Sequence, residues 1–120
     1  MKKGPLHEKS FSFAVRIINL YKFLSSDKRE FVLSQQVLRS GTAIGALVRE
    51  AEQAESRSDF VHKMSIALKE ANETVYWLEL LHETQYLDQA AFSSIHADAI
   101  ELLKLLTRVF SKSAKKLDSG

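Results

Sequence analysis

Two short spacings in the sequence have the form of metal-binding pairs, Asp59-x-x-His62 and Glu79-x-x-His82. Residues three apart share a helix face, so an acid and an imidazole so placed can grip one ion. A di-metal centre in a helical bundle needs two such pairs on different helices, with a Glu from each of two others. Here both pairs fall in one segment of helical periodicity. About 20 residues, or about 30 Å of helix axis, keep them apart. They cannot converge within one subunit, so no metal is expected. His7, His62, His82 and His96 read as surface or boundary residues.

No other constellation suggests a reaction. The chain has no Cys, which removes thiolate nucleophiles and Cys-based zinc sites. Ser, His and acidic residues are present, but no spacing brings a nucleophile to a base. Gly41-Thr-Ala-Ile-Gly45 lies inside a helical pattern and lacks the Lys-Ser/Thr that completes a phosphate loop. The expectation is a protein that is not an enzyme and needs no cofactor.

The basic residues carry more. Lys104, Arg108, Lys112, and then Lys115 or Lys116 descend the last helical segment on the side away from its apolar seam. Such a stripe is either a solvated face whose cations suit a helix C-terminus or a surface that meets phosphates, with Lys2, Lys3 and Lys9 beside it. The net charge of +2 is too small to argue for nucleic acid alone; a ring of subunits would multiply the patch. The aromatic side chains all read as packing residues, so no base-stacking platform and little sequence selectivity are expected. Glu50, Glu52, Glu55 and Asp59 lie among Arg49, Arg57 and Lys63. They read as surface ion pairs at a helix junction or as pairs between subunits.

The elements that must position these residues are helices. With 120 residues and 45% apolar content, the chain can form one domain over residues 1–120 with a real core. Four Gly and one Pro are too few for an all-β fold with many turns. No apolar run nears the ~20 residues of a membrane span. Glu8, Lys9, Ser10 and Arg16 interrupt any signal-peptide core, so a cytoplasmic protein is expected.

Apolar residues recur at steps of three and four in four segments, at about 6–24, 28–55, 58–83 and 89–115. The first has two seams: Phe11, Ala14, Ile18 and Tyr21, and Phe13, Ile17, Leu20 and Leu24. Two seams fit a helix nested between two neighbours, or one seam given to another subunit. Asp27 and Glu30 have the spacing of a capping box for the second helix. Its core line runs Leu33, Val37, Ser40, Ile44, Leu47 or Val48, and Ala51. Gly41 and Gly45 weaken that helix, which implies either close approach by another helix or a local kink. Ser56 and Asp59 form a second capping pattern. The third helix repeats through Phe60, Met64, Ala67, Ala71, Thr74, Leu78 and Leu81. Tyr76, Trp77 and Leu80 fall off that seam, as a subunit interface would or as residues covered by helix 1 or the Tyr86-Leu87 loop would. Asp88 caps the fourth helix, whose seam is Phe92, Ile95, Ala99, Leu102, Leu106 and Val109, with fraying by about Lys116. Short loops favour an antiparallel up-down-up-down four-helix bundle.

SFAVRIINLYKF and QVLRSGTAIGALVREAEQAESRSDFVHKMSIALKEANETVYWLELL resemble the small four-helix-bundle proteins encoded in intervening sequences of bacterial 23S ribosomal RNA genes. The resemblance spans about residues 8–112. Family members often have Asn where this chain has Leu47, and many have Pro near Gly45; Glu50 matches a typical acidic position. The resemblance implies an antiparallel bundle, a homopentameric ring and no established catalysis, with Glu50, Tyr76, Trp77 and Leu80 as candidate interface residues. The fold is also similar to that of the accessory protein of diversity-generating retroelements, a pentamer that binds nucleic acid and a reverse transcriptase. The expected partners are further copies of this chain and, as an alternative, RNA or DNA.

Overall fold

The computed structural model of the chain describes residues 4–119, and Lys2 and Lys3 of the proposed basic patch lie outside them. Four helices follow one another: α1 Pro5–Ser26, α2 Leu33–Glu52, α3 Arg57–Glu83 and α4 Gln89–Ser119. Contacts between neighbours pair rising with falling residue numbers. On α1 and α2, Ile17 meets Gly41 and Ser10 meets Gly45. Arg39 reaches Glu70 and Glu73, while Glu50 meets Lys63. His82 stacks on Phe92, and Glu79 faces His96. Lys9 meets Glu101 and Arg16 meets Asp98. The bundle is therefore antiparallel throughout, about 51 by 25 by 23 Å. Helices α1 and α3 sit at diagonal corners, as do α2 and α4. No described helix is long and apolar enough to cross a membrane.

The step of three and four puts one line of each helix inside. Phe13, Ile17, Leu20 and Leu24 of α1 are buried, as are Val37, Ser40, Ile44, Val48 and Ala51 of α2. From α3 come Met64, Ala67, Ala71, Thr74, Leu78 and Leu81; from α4, Ile95, Ala99, Leu102 and Leu106. Gly41 and Gly45 lie in unbroken helix. A Cβ on Gly45 would stand 3.3 Å from the backbone oxygen of Ser10, so bare α2 backbone lets α1 approach closely. Two buried hydroxyls, Thr74 Oγ1 and Ser40 Oγ, meet 2.9 Å apart. Thr74 Oγ1 can donate to Ser40 Oγ or to Glu70 O, 2.8 Å away, so the Ser40 oxygen has a partner where an unpaired polar group would be costly.

The caps of α3 and α4 form where the sequence places them. Ser56 Oγ accepts from Asp59 N at 3.0 Å, and Asp88 Oδ1 from Ala91 N at 2.8 Å. The start of α2 differs from expectation. It begins at Leu33, not near residue 28, because the Asp27/Glu30 pattern does not close as a capping box. Asp27 ends α1 instead, and Arg29 adopts φ 56°. Glu30 turns its carboxylate forward: Oε2 accepts from Val32 N and Leu33 N at 3.1 and 3.0 Å, and Oε1 from Ser34 N at 2.7 Å. At the other end of the chain α4 continues past Lys116 to Ser119.

Candidate subunit and nucleic-acid surfaces

The second seam of α1 is only partly covered. The turn of the helix that buries Ile17 carries Phe11, Val15 and Ile18 outward, where they are 55%, 44% and 40% exposed. Ala14 and Tyr21, nearer α2, are half-buried. The Arg49 guanidinium of α2 lies over the Phe11 ring, 5.3 Å from its centre. Between them Ser10, Phe11, Ala14, Thr42, Gly45, Ala46 and Arg49 line a small cup of about 240 Å³. It is floored where Gly45 lacks a side chain.

At the diagonal corner Tyr76 of α3 is 54% exposed, with its ring edge-on to Trp77 at 5.1 Å. Trp77 and Leu80 are half-buried. The indole nitrogen of Trp77 is buried with no acceptor among the described residues. Helix α1 stands diagonally across the bundle from α3 and is not the neighbouring helix of this group. Glu50, the fourth candidate interface residue, holds Lys63 at 2.9 Å. That hydrogen bond, and then the Glu50 charge, keep the Lys63 ammonium protonated above its ordinary range. Glu52 meets His7 Nδ1 at 2.7 Å. Glu50 and Glu52 of the acidic cluster are thus engaged within the chain.

The Asp/Glu-x-x-His pairs are separated by the fold into other roles. Asp59 accepts from Glu55 N at the start of α3. His82, Phe92 and His96 form a stack with centre distances of 4.3 and 4.8 Å. Glu79 Oε2 lies 3.6 Å from His96 Nε2. Among the described residues, no three His, Asp or Glu side chains converge on a metal position.

Lys104, Arg108, Lys112, Lys115 and Lys116 are all exposed along α4. Several other cations are paired: Lys9 with Glu101, Arg16 with Asp98, Arg39 with Glu70 and Glu73, and Lys63 with Glu50. The expectation that every aromatic side chain is used in packing is overturned. Phe11, Phe23, Phe31 and Tyr76 are exposed. Helical spacing does not tell a solvent-facing aromatic from a buried one when the helix carries two apolar seams. Phe31 stands in a loop, where spacing carries no information at all.

The 23S rRNA-intervening sequence protein family matches residues 3–108. No functionally curated protein matches the sequence. A crystal structure of a protein of unknown function from the S23 ribosomal protein family of Bacteroides thetaiotaomicron is 58% identical. It superposes with a TM-score of 0.86 over 88% of this chain and 97% of that one. On sequence and fold together, the chain belongs to the 23S rRNA-intervening sequence protein family.

Proposed function

We propose that this chain is a non-enzymatic scaffold or adaptor of the cytoplasm that assembles with copies of itself into a homopentameric ring. The observation that supports this reading is the uncovered stripe Phe11, Val15 and Ile18, set diagonally across the bundle from Tyr76. Contiguous exposed apolar residues mark association surfaces. The two patches sit at different corners of the bundle. Joining one to the other on a second copy is a head-to-tail contact, which closes as a ring when the rotation allows. The count of five comes from the family resemblance. Native mass spectrometry at micromolar concentration tests the reading, with a pentamer as the expected species. Val15→Glu changes an exposed side chain and should yield monomers with unchanged helical circular dichroism. A monomeric wild type would sink the proposal.

A second reading, nucleic-acid binding through basic surface, is favoured by one feature of α4. Lys104, Arg108, Lys112 and Lys116 are exposed with no carboxylate partner among the described residues. Replacing Lys104, Arg108 and Lys112 with Gln should weaken binding to duplex and flatten the salt slope by about 2 to 3. Absence of binding at low salt would end this reading.

A further inference from the structure

The loop joining α1 to α2 exposes two apolar side chains on a frame tied down from beneath. Lys28 N and Glu30 N donate back to Phe23 O and Leu24 O, at 3.3 and 2.9 Å, and so close α1. Arg29 takes a left-handed conformation, φ 56°, which is uncommon for a residue with a side chain. Glu30 is buried, and its carboxylate gathers the amides of Val32, Leu33 and Ser34. The buried Ser34 hydroxyl returns a bond to Glu30 O at 2.8 Å. Between these anchors Phe31 and Val32 face outward, 53% and 71% exposed. The left-handed Arg29 and the cap that Glu30 forms on α2 thus fix the backbone on either side of Phe31.

One cation lies beside that ring and a second is in the same loop. The Arg29 guanidinium carbon lies 6.0 Å from the Phe31 ring centre, and Lys28 Nζ lies 5.7 Å from that of Phe23, also exposed. Of the acids on this side, Glu30 points inward and Asp27 accepts from Ser26 Oγ at 2.8 Å, while Glu83 and Asp88 share a groove with Phe23 and Lys28. An aromatic face beside the Arg29 guanidinium, with the Lys28 ammonium in the same loop over Phe23, offers a stacking partner for a base and counter-charge for its phosphate.

We propose that the α1–α2 loop is a stacking platform for single-stranded nucleic acid, with a base on Phe31 and the flanking phosphates met by Arg29 and Lys28. This extends the nucleic-acid reading to a second surface and does not depend on the α4 stripe. The loop lies at the end of the bundle where Phe23 and Ala91 line one groove, while the stripe runs towards the C-terminus of α4, at the opposite end. A flat ring with an adjacent guanidinium favours a base over an apolar peptide, which does not need the charge; an anionic lipid surface would use both, and vesicle binding tells it apart from a base.

The test is fluorescence anisotropy on the full chain, with labelled oligouridine of about 12 nucleotides and a duplex of equal length. Wild type should bind the single strand, and Phe31→Ala should lose about tenfold of that affinity, the worth of one stacked base. Phe31→Trp should retain it. Duplex binding should be unchanged by Phe31→Ala, while Gln at Lys104, Arg108 and Lys112 should lower duplex binding. Phe31 is exposed, so its loss should spare the fold, which circular dichroism verifies. The platform is overturned if wild type ignores the single strand, or if Phe31→Ala binds it as tightly as wild type. It is also overturned if Phe31→Ala alters the sedimentation of the assembly, which would assign the ring to a contact between copies. Loss of binding to phosphatidylserine vesicles, with oligouridine binding intact, would assign it to a lipid surface.

Discussion

A Cβ placed on Gly41 would stand 2.7 Å from Cγ1 and 2.9 Å from Cγ2 of Ile17. Ile17 is fully buried, and a β-branched side chain in a helix has one strongly preferred rotamer. It cannot step aside cheaply. The missing side chain of Gly41 is what lets α1 and α2 meet at this depth.

Gly41→Ala should therefore destabilise the bundle, although Ala is the better helix former by about 1 kcal/mol. Overpacking of a tight core costs about 1–3 kcal/mol and should exceed that gain. Gly45→Ala should cost less, because its new Cβ would meet the Ser10 backbone oxygen at 3.3 Å and needs only a small shift of α1. Leu at either position should cost more than Ala. Urea denaturation orders the four variants, and an unchanged midpoint for Gly41→Leu would contradict the close-contact account.

Removing the Glu30 carboxylate should loosen the start of α2. Glu30→Ala strips three backbone amides of their acceptor, and loss of a helix cap costs about 1–2 kcal/mol. Glu30→Gln keeps one acceptor oxygen and should fall between. Hydrogen exchange at Val32, Leu33 and Ser34 should speed up before the rest of α2 does. Exchange rates equal to wild type would show that water replaces the carboxylate without loss.

The Ser40–Thr74 pair should behave as a unit. Thr74→Val leaves the buried Ser40 hydroxyl without its partner, at a cost of about 1–3 kcal/mol. Adding Ser40→Ala removes the orphan, so the double variant should be more stable than the sum of the two single effects predicts. Strict additivity in thermal melts would mean that the two hydroxyls do not support one another.

Legibility followed periodicity. The third-helix seam from Met64 to Leu81 and the fourth-helix seam from Ile95 to Leu106 are buried as their spacing predicts, since one face of a helix repeats at three and four residues. Ser56 and Asp88 cap as their residue types suggest. Glu30 was readable as a capping residue but not in its direction. A carboxylate three residues after Asp27 can reach back to close a box or forward to start a later helix, and the spacing is the same for both. Burial of Ser34 beside it decides for the later start.

The pattern of residues by itself determined four amphipathic helices, their order, most of their inward faces and the family, because helical periodicity and residue type are local properties. Tertiary structure alone decided which of the two α1 seams is covered. Both are apolar, and only the placement of α2 and α4 against α1 buries Phe13, Ile17, Leu20 and Leu24 while leaving Phe11, Val15 and Ile18 in water. It also decided that Phe31 stands outside the core. The ring's exposure depends on Arg29 turning left-handed and Glu30 reaching forward, and neither is a property of spacing.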